Sequence, residues 1–306
     1  MLYDLAIIGA GPAGVAAGVY AARKKIKTVF ITKNFENQSI VSDNIQNWIG
    51  TISISGKDLS KSLEEHLKAY SKDVIDIKKG EIAIEINKID NGFKIKTNKG
   101  EYEAKTILIA TGSVRRKLQI KGAEQFENKG ITYCATCDAP FFEGMDVAVI
   151  GGGNAAFETA LQLADVAKSV TILQRSKFKA DQVTIDKVLS NPKVKSHENL
   201  ELLEIKGDKF VSSIIYKDNQ TGKNVELPVQ GIFVEIGAIP SVDFLKNNIV
   251  KLNTLNHIVV DPRNQKTSEA GIWAAGDCTD GLYHQNNIAA GDAIKALEDI
   301  YYYLRG

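Results

Sequence analysis

The stretch YDLAIIGAGPAGVAAGVYAARKK, residues 3–25, carries the pattern that decides the fold. Leu5 to Ile8 form an apolar run short enough for a buried strand, and Gly9, Gly11 and Gly14 follow at the spacing G-x-G-x-x-G. Small residues then open a helix: Ala13, Ala16, Ala17, Gly18, Ala21 and Ala22. In such a strand–turn–helix the glycines serve a tight turn, a close backbone approach to a pyrophosphate, and close helix–strand packing. A pyrophosphate suits the helix N-terminus, where unpaired backbone N–H groups and the helix dipole favour negative charge. Gly9, Gly11, Pro12, Ala13 and Gly14 are therefore read as nucleotide-binding.

A second copy appears in MDVAVIGGGNAAFETALQLADVAKSVTILQR, residues 145–175. Asp146 to Ile150 reads as a strand, Gly151, Gly153 and Ala156 match G-x-G-x-x-G/A, and Asn154 and Ala155 complete the turn. SVTIL supplies the next strand. One glycine pattern is weak, because glycine-rich turns occur without ligands. Two of them, 142 positions apart (151 − 9) and each set between a strand and a small-residue helix, point to two dinucleotide sites. The usual pairing is a resident flavin with a visiting nicotinamide that delivers hydride. In TSEAGIWAAGDCTDG (267–281) a buried strand, Ile272 to Ala275, leads into Gly276 and Asp277. An acid at the carboxyl end of such a strand is placed to bind cofactor hydroxyls. A helix-capping or turn Asp is the structural alternative.

The chain has 306 residues, enough for two ordinary domains, and 44 % apolar with 25 % charged residues is a soluble globular profile. With 38 basic against 37 acidic side chains, no electrostatic reason exists to expect nucleic acid or an anionic membrane as partner. No apolar run approaches the roughly 18 residues needed to span a bilayer. No signal-peptide pattern precedes the first strand, so a cytoplasmic location is expected.

The order of segments predicts an α/β fold of two Rossmann-like dinucleotide-binding domains, of three-layer ββα type, the second inserted in the first. The first β-α-β unit runs to 28–32, followed by a polar helix around 57–72 and strands at 81–89, 93–97 and 101–109. The second unit closes on GIFVEIGAIPS (231–241), after which the chain returns to the first. Residues 1–113 and 243–306 are expected to form the flavin domain and 114–242 the nicotinamide domain, with hinges at 113–117 and 241–245.

GITYCATCDAP, residues 130–140, sets Cys134 and Cys137 three positions apart with Asp138 directly after. The spacing alone fits half a zinc site, a structural staple or a redox dithiol. Three cysteines in a cytoplasmic protein argue against the staple.

Taken together, GAGPAG (9–14), ATG (110–112), YCATCDAPFF (133–142), VAVIGGGNAAFE (147–158) and AAGDC (274–278), in that order, resemble the low-molecular-weight thioredoxin reductase family. The resemblance covers essentially the full chain. It implies a homodimer that passes electrons from NADPH through FAD to the dithiol and then to thioredoxin. It places Cys137 against the flavin, gives Cys134 the attack on the thioredoxin disulfide, and makes Asp138 the proton carrier. It also assigns Thr111 and Gly112, Gln38, Asn47, and the pair His284–Gln285 to the flavin. A C-x-x-C pair can lower a thiol pKa and resolve a mixed disulfide, as this role requires. A zinc site would need further ligands, and only Cys278 with His66, His197, His257 and His284 remain, none at ligand spacing. No metal is expected, and Cys278 reads as a packing residue.

Three departures from the family pattern bear on function. Its His-Arg-Arg run is here Gln174, Arg175 and Ser176, with Lys179 at the later Arg. No acid stands at that strand end to clasp a free ribose hydroxyl, whereas Arg175 and Lys179 can hold a 2′-phosphate. NADPH is therefore expected, with NADH as the alternative and solvated surface charge as the plain reading of both residues. The loop NFENQSIVSDNIQNWIG (34–50) keeps Gln38 and Asn47 but lacks the family's glycine pair and proline. The family's Arg-Gln pair is His284–Gln285 here. KADQ (179–182) and GIFVEIG also resemble the flavoprotein component of alkyl hydroperoxide reductase, an NADH user with an extra dithiol domain. Acting that way, this chain would need a separate thioredoxin-like adaptor of a peroxidase. Reduced ferredoxin is a third donor to consider, and a catalytically silent flavoprotein would have no need for the dithiol.

Overall fold

The computed structural model describes residues 1–42, 45–245 and 247–306. The apolar N-terminal run forms β1 (Leu2–Ile8), buried from Leu5 onward. Helix α1 (Pro12–Arg23) follows, with proline at its first position, where the missing N–H removes no helical bond. Strand β2 (Thr28–Thr32) is buried throughout and pairs in parallel with β1. Helix α2 (Gly56–Ser71) is capped by Ser55, whose Oγ accepts the Asp58 N–H at 3.0 Å. Strand β3 (Ile75–Lys79) extends the parallel sheet beyond β2. Strands β4 (Ala83–Ile89) and β5 (Gly92–Thr97) form an antiparallel hairpin.

The long strand β6 (Glu101–Ile109) serves both parts of this sheet. Its first half pairs with β5, and along its length it runs parallel to β1. The chain later returns as β17 (Ile272–Ala274), parallel to the second half of β6, and as α6 (Asn286–Tyr303), which packs on α1. Ala6, Ile8, Val29, Ile31, Ile107 and Ile109 bury one sheet face against Ile86, Phe93 and Ile95 of the hairpin.

The second unit contains β8 (Ile131–Thr132), α3 (Ala135–Asp138), β9 (Asp146–Ile150), α4 (Asn154–Val166), β10 (Ser169–Leu173), α5 (Gln182–Leu189) and β11 (Val194–His197). Strands β12 (Leu200–Gly207), β13 (Val211–Asp218) and β14 (Asn224–Pro228) then precede β15 (Gly231–Val234). The parallel sheet has the order β11-β10-β9-β15-β8, and β12-β13-β14 form an antiparallel sheet. The two-residue side-chain period of a strand explains the layering. Val147, Val149 and Phe233 face Phe157, Ala160 and Leu163 of α4, whereas Ala148, Ile150, Ile232 and Val234 face Ile205, Ile214 and Tyr216 of the antiparallel sheet. Burial on both faces is why β9 reads as an unbroken apolar run.

The expected α/β class with two Rossmann-like units is found. Among the described residues, one compact unit comprises 1–42, 48–114, 239–245 and 247–306, and the other 45–47 and 115–238. At the two long-range crossings the chain forms β7 (Ser113–Arg115) and β16 (Ala238–Pro240), which pair with each other. Among the described residues no helix is long and apolar enough to cross a membrane.

Phe157 is fully buried and meets Phe178 edge to face at 4.9 Å. Truncating such a ring leaves a cavity, so Phe157→Ala should lower unfolding free energy by about 3–5 kcal/mol, measured as a fall in the urea midpoint. An unchanged midpoint would contradict this packing.

Candidate functional site

In the first unit the glycine turn is set by backbone contact. A side chain at Gly14 would place its Cβ 1.9 Å from the Gly9 carbonyl oxygen, so α1 stands directly on the end of β1. Gly11 precedes the helix in extended conformation without a side-chain cap. The N–H groups of the first turn are thereby presented to a ligand, as a pyrophosphate requires. A cleft of about 460 Å³ opens there, lined by Gly9, Gly11, Pro12, Ala13, Gln38, Thr111, Gly112, Gly276 and Asp277 among others. Gln38 Nε2 donates to Ser113 Oγ at 3.1 Å and to Asp277 Oδ2 at 3.2 Å, joining two walls of the cleft. Thr111 Oγ1 is buried in it without a hydrogen-bond partner. An orphaned hydroxyl is costly, and a polar ligand atom would satisfy it.

Gly14 lies beneath this cleft, and Asn47, His284 and Gln285 are not among its lining residues. Gln285 precedes α6 as its N-cap, and the His284 ring lies 6.0 Å from that of His257. The structure adds Glu36, which lines the cleft just beyond β2, 22 positions after Gly14 (36 − 14). An acid about 20 residues after the glycines is the ribose-binding position of this fold, a signal that the sequence carries and the motif reading left out. Asn34 Nδ2 donates to its Oε2 at 3.2 Å.

The turn in the second unit follows the same logic with a different neighbour. Gly151 has φ +147°, and a Cβ there would lie 2.3 Å from the Glu235 carbonyl oxygen. Gly153 leads into α4 in extended conformation without a side-chain cap, Asn154 and Ala155 are exposed, and Ala156 is buried. The loop after β10 folds back onto this turn: the Lys179 N–H donates to the Gly152 carbonyl at 2.6 Å. Asn154 and Asp181 exchange two hydrogen bonds of 2.9 Å. Arg175 and Lys179 are exposed on that loop, close in sequence to the residues that touch the cradle. The residues present thus fit a dinucleotide in each unit.

Glu235, directly after β15, has a side chain only 12 % exposed. Thr159 Oγ1 of α4 donates to its Oε1 at 3.0 Å, and Arg115 Nη1 lies 3.6 Å from its Oε2. Burial lifts this carboxyl above the usual range, against the pull of Arg115 and Thr159, and Glu158 adds a smaller push upward.

Cys134 and Cys137 form a disulfide with Cα atoms 5.3 Å apart. Cys134 caps α3, and the Cys137 N–H points to Cys134 Sγ at 3.2 Å. Thr132, in edge strand β8, donates its hydroxyl hydrogen to the Asp138 carboxyl, which holds the acid beside the pair. Tyr133 is buried, its O–H donates to Glu127 Oε2 at 3.0 Å, and burial raises its phenol pKa. That contact anchors the segment between strand and dithiol. Both cysteines and Asp138 are half-buried, within reach of solvent. Cys278 by contrast is fully buried, and burial pushes its thiol up to about 11, which makes it inert. Among the described residues no group of three or more His, Cys, Asp or Glu could hold a metal ion.

A family model described as pyridine nucleotide-disulphide oxidoreductase matches residues 3–293, and the chain belongs to that family. Its members use a flavin and a pyridine nucleotide. An NADH dehydrogenase of Bacillus subtilis is 38 % identical over 304 residues, covering 99 % of this chain and 58 % of that protein. A component of the alkyl hydroperoxide reductase of Staphylococcus aureus is 39 % identical over 304 residues, covering 99 % and 59 %. The chain thus spans between half and two thirds of the length of these curated relatives. A thioredoxin reductase from Giardia duodenalis, 30 % identical, matches with a TM-score of 0.93 over 100 % of this chain and 99 % of that one. The resemblance to thioredoxin reductases drawn from the motifs is borne out by these structural neighbours.

Glu235 also sets a pH dependence. Its folded pKa lies above the unfolded value of 4.5, so stability is full below that value and falls as pH rises through the folded one. Glu235→Gln does not titrate there, so its thermal midpoint relative to wild type should climb as pH rises from 4.5 through the raised folded value. A difference that stays flat with pH would contradict the upward shift.

Proposed function

We propose that this chain is a thioredoxin-type disulfide reductase, carrying electrons from NADPH through FAD to the Cys134–Cys137 pair and on to a thioredoxin-like protein. The observation that carries this reading is the half-buried Cys134–Cys137 disulfide, set in a unit with its own nucleotide cradle, in a chain with a second cleft for another dinucleotide.

In this reading the turn Gly9–Gly14 holds the FAD pyrophosphate, Glu36 and Asp277 meet its hydroxyls, and Thr111 Oγ1 gains its missing partner. Bound FAD supplies a two-electron relay between nucleotide and disulfide. Reduction opens the Cys134–Cys137 bond, and Asp138 carries the proton that this requires. The Cys134 thiolate attacks one sulfur of the partner's disulfide, forming a mixed disulfide and releasing one partner thiolate. The Cys137 thiolate then attacks Cys134 Sγ, which reforms the internal bond and releases the second partner thiolate.

On the donor side, Arg175 and Lys179 support NADPH, since a guanidinium suits a 2′-phosphate and no acid stands at the end of β10. A second reading takes NADH as donor and a thioredoxin-like adaptor of a peroxidase as acceptor. The NADH dehydrogenase and alkyl hydroperoxide reductase relatives favour it.

The flavin-loaded protein, mixed anaerobically with NADPH or NADH, should lose its flavin absorbance and recover it on adding oxidised thioredoxin. No bleaching by either nucleotide would overturn the reading and point to ferredoxin. Cys134→Ser should abolish thioredoxin turnover while flavin bleaching survives, and full turnover in this variant would exclude the dithiol as relay. Arg175→Ala should raise KM for NADPH by about tenfold, the worth of one charged hydrogen bond, with little change for NADH. Equal effects on both nucleotides would remove Arg175 from the phosphate site.

A further inference from the structure

We infer that Glu235 recognises the nicotinamide end of the nucleotide, its carboxyl hydrogen-bonding the carboxamide. This rests on the reading that the second cradle takes a pyridine nucleotide.

The sheet order decides which way a dinucleotide runs. Strand β9 carries the glycine turn, with β10 on one side and β15 on the other. In a sheet of this kind ligands lie outside the carboxyl ends of the strands, where the strand order reverses. The residue ending the β10 side answers to the adenine ribose, and Gln174 and Arg175 stand there. The nicotinamide half therefore falls on the β15 side. Glu235 is the first residue beyond that strand, its N–H donating to the Ile150 carbonyl at 2.7 Å and its own carbonyl lying against Gly151.

The side chain has acceptor capacity to spare. A carboxylate offers about four acceptor positions. Thr159 takes one on Oε1, and Arg115 stands at ion-pair distance from Oε2, 3.6 Å away, outside hydrogen-bond reach. A carboxyl turned into the protein with so few donors is costly unless another arrives. A carboxamide brings an NH2 donor and a carbonyl acceptor on one planar group. The first suits the ionised carboxyl and the second the protonated one, so a carboxamide can pair with either form. Arg115, Glu158 and Thr159 are the groups that act on it electrostatically. Arg115 offsets part of the charge from 3.6 Å, without a hydrogen bond to Oε2.

The test separates ligand recognition from a purely internal role in holding Arg115 and Thr159. Affinities of the flavin-loaded protein are measured by calorimetry for NADP+ and NAD+, and for 2′-phospho-ADP-ribose and ADP-ribose, which lack the nicotinamide. Glu235→Ala should weaken both intact nucleotides about tenfold and leave both fragments unchanged. Glu235→Gln, which keeps a hydrogen-bonding amide, should retain most of the wild-type affinity for the intact nucleotides and confirms that the turn still folds. Equal losses for nucleotides and fragments, or no loss for either, would overturn the assignment. If wild type binds neither intact nucleotide, the pyridine-nucleotide reading of this cradle falls, and the role of Glu235 with it.

Discussion

Backbone packed against backbone at the strand-to-helix turn is the contact on which both units are built. At Gly14 no Cβ fits above the Gly9 carbonyl, so α1 rises from β1 without a spacer and opens its first N–H groups toward the cleft. At Gly151 the excluded Cβ would meet the Glu235 carbonyl, so there the same constraint clamps the turn to the neighbouring strand. The difference matters chemically. In the first unit the tight turn packs helix start on strand end, whereas in the second it is also clamped to the backbone of an acidic residue, Glu235.

The surroundings of the two turns diverge further. The first is walled by distant segments tied through side chains, with Gln38 bonded to Asp277 across 239 positions of chain. Such ties suit a ligand that stays, because they preorganise the walls around it. The second turn is met by the loop after β10, whose Lys179 N–H and Asp181 side chain bond back to Gly152 and Asn154. Exposed Arg175 and Lys179 on that loop face solvent, as a ligand that comes and goes requires.

The dithiol owes its setting to a very short strand. β8 adds only Ile131–Thr132 to the edge of the parallel sheet, yet that pairing with β15 orients Thr132 toward Asp138, and Tyr133 toward Glu127. The cysteines then sit on one helical turn, half-buried, while Cys278 lies sealed in the core of the other unit. Exposure separates a reactive sulfur from an inert one far better than cysteine identity does.

The amino-acid order alone determined the parts that depend on local physics: both glycine turns, the small-residue helices above them, the buried strands and the close cysteine pair. Each is dictated within a few residues by steric exclusion, helical period or strand alternation. Glu36 was equally legible from its offset after Gly14. The antiparallel layer β12–β14 was not, because its strands are half-buried mixed runs whose apolar side is defined only by the parallel sheet they cover. Only the tertiary structure joined Thr159 to Glu235 across 76 positions and set Arg115 beside them. Spacing in sequence carries no record of which strand neighbours which, and it is sheet order that decides where a buried carboxyl meets its partners.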